Sequence, residues 1–189
     1  ILWDSGIHPG DRVVVIGAGV VGALVGYLSA RMPGTDVCIV DIDATKATLA
    51  KALGCAFAVP SEAPIDADLV IHASASSAGL ATAISIAGLE TSIVEASWYG
   101  TQDTTVPLGG AFHQRRLRIV GSQVGRIPAQ LAARWTYQRR LSKALTLLAD
   151  PTLDALISGQ SDFEALPEDY GSILDSTTTL CHRVRYPRA

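Results

Sequence analysis

Arg12-Val13-Val14-Val15-Ile16-Gly17-Ala18-Gly19-Val20-Val21-Gly22 decides how this chain folds. Four branched apolar residues after Arg12 read as a buried strand, three glycines at the spacing G-x-G-x-x-G follow, and an apolar helical pattern begins at once. A second apolar run, Asp36-Val37-Cys38-Ile39-Val40, ends at Asp41, nineteen places beyond the last glycine. A glycine triplet alone is weak. A triplet between strand and helix, followed by a strand that closes on an acid, predicts a dinucleotide site.

Each position in that stretch has its own physical task. Gly17 permits the tight turn out of the strand, Gly19 lets bare main chain approach a pyrophosphate, and Gly22 lets the helix pack close to the sheet. Val20 and Val21 open the helix, so free N–H groups and the positive end of the helix dipole face the phosphates without a lysine. Asp41 puts a carboxylate where ribose hydroxyls can donate to it and where a 2′-phosphate would be repelled. Its neighbour Ile42 is not an arginine that could bind such a phosphate, so NAD is favoured over NADP.

Outward from this stretch, apolar runs alternate with helical patterns. Strands are expected at 12–16, 37–41, 56–59, 69–73, 92–96 and 117–122, with helices at 19–31, 44–53, 78–87 and 129–149. That order predicts an α/β fold, a Rossmann-type doubly wound parallel sheet of about six strands with helices on both faces. With 189 residues and 48% of them hydrophobic, the chain can bury one sizeable core. The expected division is a cofactor domain over 1–152 and a C-terminal segment over 153–189. The chain begins at Ile1 and its only methionine is Met32, so a piece of something longer is expected.

Composition narrows the function classes. The helix after the glycines is interrupted by Gly26 and stopped by Arg31 and Pro33, so no stretch reads as a membrane span, and a soluble cytoplasmic protein is expected. Cys38, Cys55 and Cys181 are far apart without zinc-ligand spacing and read as reduced thiols. His8, His113, His182 and the strand residue His72 are scattered and read as structural, so no metal site is expected here. Net charge is −3, but no acid occurs between Asp103 and Asp150, where Arg115, Arg116, Arg118, Arg126, Arg134, Arg139, Arg140 and Lys143 accumulate. A solvated face, offset by the acids around Asp162 to Asp169, is the plain reading; attraction of an anionic substrate or a partner subunit is the sharper one. No aromatic-basic motif accompanies the run, which argues against nucleic acid.

The segment Asp11 to Gly22, then Val40-Asp41-Ile42-Asp43 with Lys46, resembles the cofactor half of the medium-chain, zinc-type alcohol dehydrogenases. Asp68-Leu69-Val70-Ile71 and Arg118-Ile119-Val120-Gly121-Ser122 extend the likeness, which runs over nearly the whole chain. The resemblance implies that Gly17, Gly19, Val20, Val21 and Gly22 hold the pyrophosphate, and that Asp41, with Ile42 beside it, and Lys46 flank the adenosine ribose. It implies contacts to the rest of the cofactor from Ala73, Ser74, Ala96 and Ser97, and main-chain contacts to the carboxamide near Ser122 and Val124. Ala75 and Ser97 depart from the glycines usual in the family, and Trp98 and Tyr99 stand where they could wall the cleft.

By the same resemblance, a preceding domain would supply the zinc ligands and most of the pocket for an alcohol or carbonyl substrate, so no catalytic residue is named here and the chain alone would bind NAD without turnover. Leu153–Ile157 and Cys181–Arg185 would be strands bracing that domain. A homodimer would pair the Leu117–Ser122 edges. Two readings from other classes stay open, a non-catalytic NAD(H)-sensing module and an adenosylmethionine-dependent methyltransferase.

Overall fold

Val13, Val14, Val15 and Ile16 are all buried, because alternate side chains enter the cores on opposite faces of one sheet. The computed structural model describes residues 1–187. Its strands are β1 (Arg12–Ile16), β2 (Asp36–Val40), β3 (Ala56–Ala58), β4 (Ala67–His72), β5 (Ala87–Glu95) and β6 (Arg118–Gly121). They are all parallel and lie in the order β3-β2-β1-β4-β5-β6. This is the expected Rossmann-like α/β sheet, and its strand order reverses between β1 and β4.

Helices cover both faces. Near the N-terminus lies α1 (Leu2–Ser5), and α2 (Val20–Ser29) and α3 (Ala47–Ala52) follow β1 and β2. Ala23, Val25 and Tyr27 of α2 and Ala50 of α3 pack on Val13, Val15, Ile39 and Ile71. On the other face α4 (Ser77–Ile86) sets Leu80, Ala83 and Ile84 against Val14, Ile16, Val70 and Ile93, joined by Phe112 of α5 (Ala111–Gln114). Each such branched side chain removed from water contributes about 1.5–3 kcal/mol.

Three stretches differ from the sequence expectation. The single helix expected over 129–149 is two, α6 (Ala129–Ala132) and α7 (Tyr137–Leu147). Thr136 lies between them in extended backbone and accepts a hydrogen bond from the Arg139 amide, so its side chain starts a new helix instead of continuing the old one. Leu153–Ile157 is not a strand: Pro151–Leu156 forms a 3-10 turn capped by Asp150. Leu153 and Leu156 join the main core, so its packing runs past residue 152. Ile157–Asp162 (β7) is the strand, and it pairs in parallel with β8 (Cys181–Arg185). Between them lies α8 (Leu166–Asp175), whose start is signalled by Pro167, Glu168 and Asp169. Residues 188 and 189 of the expected 153–189 segment lie outside the described residues.

The basic run is mostly satisfied locally. Arg115 donates to the Ser85 and Ala87 carbonyls, Arg118 to the Glu90 carbonyl, and Arg139 lies 4.0 Å from the Trp135 ring. Among the described residues its one ion pair joins Arg116 to Glu90, and the acids at 162–169 offset none of it directly. Also among the described residues, no helix is long and apolar enough to cross a membrane.

Candidate functional site

The sheet ladder continues one residue past the strand ends. Gly17 donates to the Val40 carbonyl at 2.8 Å, Ala73 to Ile16 at 2.8 Å, Ala96 to His72 at 2.9 Å and Ser122 to Glu95 at 2.9 Å. These bonds bring Gly17, Ala73, Ala96 and Ser122 onto one carboxyl edge. In open α/β sheets the crevice for a ligand lies there, where the strand order reverses.

The three glycines do three different things. Gly17 has φ +105°, and a Cβ on it would sit 2.9 Å from the Ala73 carbonyl and the Ser74 nitrogen, so the turn and the neighbouring strand both exclude a side chain. A Cβ on Gly22 would overlap the Gly17 carbonyl oxygen, since α2 packs directly on the loop. Around a Cβ on Gly19 there is nothing within 4 Å. Gly19 is the N-cap of α2, and no side chain caps it, so the first N–H groups of the helix, including those of Val20 and Val21, are open to an anion.

Asp41 leans over this loop. Its Oδ2 accepts the Ala18 amide at 2.6 Å and its Oδ1 accepts the Asp43 amide at 2.9 Å. A carboxylate has about four acceptor sites, so it retains capacity for ribose hydroxyls. Ile42 is 87% exposed. Lys46 ends the 3-10 turn that Asp43 caps, and among the described residues it lies within 4.0 Å of no acid.

Across the reversal point the edge is polar. His72 is fully buried, with Nδ1 2.8 Å from Glu95 Oε2 and Nε2 2.7 Å from Ser74 Oγ. Burial alone would raise the Glu95 carboxyl; the hydrogen bonds from His72 and Ser97 outweigh it and bring the group below its ordinary value. Burial, then the Glu95 charge, pushes the Tyr99 phenol up to about 12. Tyr99 stacks on His72, whereas Trp98 is 84% exposed.

The two departures from glycine compensate one another. Ala75 holds φ +50°, a conformation that favours glycine, and its amide donates to Ser97 Oγ at 3.0 Å. The Ser122 amide is taken by the ladder and its hydroxyl by Asp4 at 2.5 Å. Val124 is 81% exposed beyond it. The structure therefore gathers Gly17 to Gly22, Asp41, Ala73, Ser74, Ala96, Ser97 and Ser122 at one edge.

Sequence reasoning missed Glu95 and the link from His72 to Ser74. A signal existed, a polar residue ending each of two consecutive apolar strands, and the parallel register places His72 opposite Glu95.

A cavity of about 430 Å³ lies at the opposite, amino ends of the strands, among Arg12, Asp66, Asp68, Gly88, Glu90 and Arg118. The acids Asp11, Asp66, Asp68 and Glu90 line it, and Arg12 is already held by Asp68 at 3.1 Å and Asp66 at 3.4 Å, so it does not suit a diphosphate. Among the described residues no three His, Cys, Asp or Glu side chains form a group that could hold a metal ion.

No protein-family model and no curated protein matches the chain. Solved structures do. L-idonate 5-dehydrogenase from Escherichia coli matches over 96% of this chain and 51% of its own, at 17% identity and a TM-score of 0.77. A protein assigned as a zinc-binding dehydrogenase from Sinorhizobium meliloti, bound to NADP, matches over 96% and 53%, at 23% identity and 0.70. A short chain alcohol dehydrogenase from E. coli CFT073, complexed with NADH, matches over 95% and 53%, at 21% identity and 0.71. The chain thus spans about half the length of these structures and shares their fold.

Proposed function

We propose that this chain is the cofactor-binding part of an NAD-dependent oxidoreductase related to the zinc-type medium-chain alcohol dehydrogenases. The observation that carries this reading is the uncapped start of α2 at Gly19, with open space around it and the Asp41 carboxylate beside it. The Gly17–Gly22 turn would hold the pyrophosphate through the free amides at the start of α2, from Gly19 to Gly22, and Asp41 the adenosine ribose, with Ala73, Ser74, Ala96 and Ser97 along the remainder. When bound, the nicotinamide supplies the hydride acceptor or donor for an alcohol or carbonyl substrate.

The residues of this chain orient that cofactor and do not carry the reacting proton or a metal. Zinc ligands and most of the substrate pocket belong to a further domain, and the present chain binds cofactor without turnover. The preference for NAD rests on Asp41, since the matched fold accepts NADP in one structure and NADH in another. Free Cys38, Cys55 and Cys181 fit a reducing cytoplasm.

Calorimetry on the 189-residue chain tests the reading. NADH is expected to bind, NADPH at least about tenfold more weakly because a 2′-phosphate meets Asp41, and adenosylmethionine not at all. Equal affinity for NADPH removes the assignment of Asp41, and binding of adenosylmethionine alone removes the reading altogether.

A further inference from the structure

Three donors converge on the Glu95 carboxylate. The Ser97 amide lies 2.8 Å from Oε1, and the Tyr99 hydroxyl at 3.3 Å and His72 Nδ1 at 2.8 Å approach Oε2. An ionised carboxylate only accepts hydrogen bonds, so in the neutral ring of His72 the proton sits on Nδ1. Nε2 is left with a lone pair, and the Ser74 hydroxyl, 2.7 Å away, donates to it. Because His72 is 0% exposed, water does not compete for either nitrogen.

The outcome reaches the crevice. With its proton turned inward, Ser74 offers only lone pairs, of which Ser76 Oγ at 3.1 Å can take one. Gly79 leaves room for this arrangement, since a Cβ there would lie 2.8 Å from His72 Nε2 and collide with Ser74 Oγ. The Glu-His-Ser order also occurs in nucleophilic catalysis, but a leaving group would need to reach the imidazole, and this one is sealed inside the sheet edge.

We propose that His72, anchored by Glu95, is a positioning residue that makes Ser74 an acceptor-only hydroxyl, selecting a sugar hydroxyl on the β4–β5 side of the crevice. Resting on the cofactor reading above, this assigns Ser74 to the ribose beside the nicotinamide, because β4 to β6 form the second mononucleotide half of the sheet.

Two measurements on the 189-residue chain test it. Nitrogen-15 NMR of the histidines at pH 8 should show His72 protonated at Nδ1. Glu95→Gln, whose amide nitrogen would stand near Nδ1, should reverse the tautomer. In calorimetry, Ser74→Ala should weaken NADH and ADP-ribose alike by roughly threefold to tenfold, the worth of one neutral hydrogen bond, and leave AMP unchanged. A wild-type ring protonated at Nε2, or Ser74→Ala binding NADH as tightly as wild type, overturns the proposal while the cofactor reading stands. Wild-type protein that binds neither NADH nor NADPH overturns both.

Discussion

A methyl group added at Gly19 and one added at Gly22 meet opposite fates, although both glycines belong to the same loop. At Gly19 it enters open space in extended backbone, so Gly19→Ala should lower stability in urea by less than about 1 kcal/mol while weakening NADH about tenfold or more, because bare main chain is what approaches the pyrophosphate. At Gly22 it strikes the Gly17 carbonyl oxygen, so Gly22→Ala should cost about 1–3 kcal/mol of stability. Equal effects of the two on urea midpoints would contradict this division. Glu95 carries a pH signature at the same scale. Its carboxyl is held below the ordinary range in the folded chain, so its contribution is complete above the unfolded value of about 4.3 and is lost as pH falls through the folded one. Glu95→Gln should flatten stability against pH in that acid window, measured by urea unfolding at steps from pH 6 downward.

Among elements, α7 stands apart from α2, α3 and α4, the helices that bury side chains against the sheet. None of its residues is buried, and Tyr137, Leu141, Leu145 and, just past its end, Leu148 lie exposed at three- and four-residue spacing. Hydrogen exchange should therefore be faster in α7 than in α2, whose Ala23, Val25 and Tyr27 sit in the core. Thr136→Ala removes the cap and should destabilise α7 by about 0.5–2 kcal/mol, seen as faster exchange there alone. Elements also show where sequence is readable. The strands were legible because residues such as Val13 to Ile16 must be apolar on both faces, and the glycine loop was legible because turn, approach and packing each demand glycine. The break at Thr136 was not, since an Ala- and Leu-rich run carries a helical period whether or not one hydroxyl restarts it. Nor was the pairing of His72 with Glu95, which exists only once β4 and β5 are neighbours in register.

At the scale of the molecule, β6 ends the sheet and leaves one side of its ladder free, with Ile119 36% exposed. We expect two copies to join there, giving light scattering at about twice the 19.8 kDa mass, and Ile119→Pro, which removes a ladder donor, to return the monomer. A monomeric wild type at micromolar concentration would refute that pairing.

The crevice, finally, is drawn largely by amides and carbonyls that extend past the strand ends. Such carbonyls belong to every amino acid and such amides to all but proline, so away from Gly17, Gly19 and Gly22 a mutation can rewrite a neighbouring side chain and leave the contour in place. Outside those three glycines a departure from the usual residue can be met by a neighbour, as the hydroxyl of Ser97 steadying the Ala75 turn illustrates.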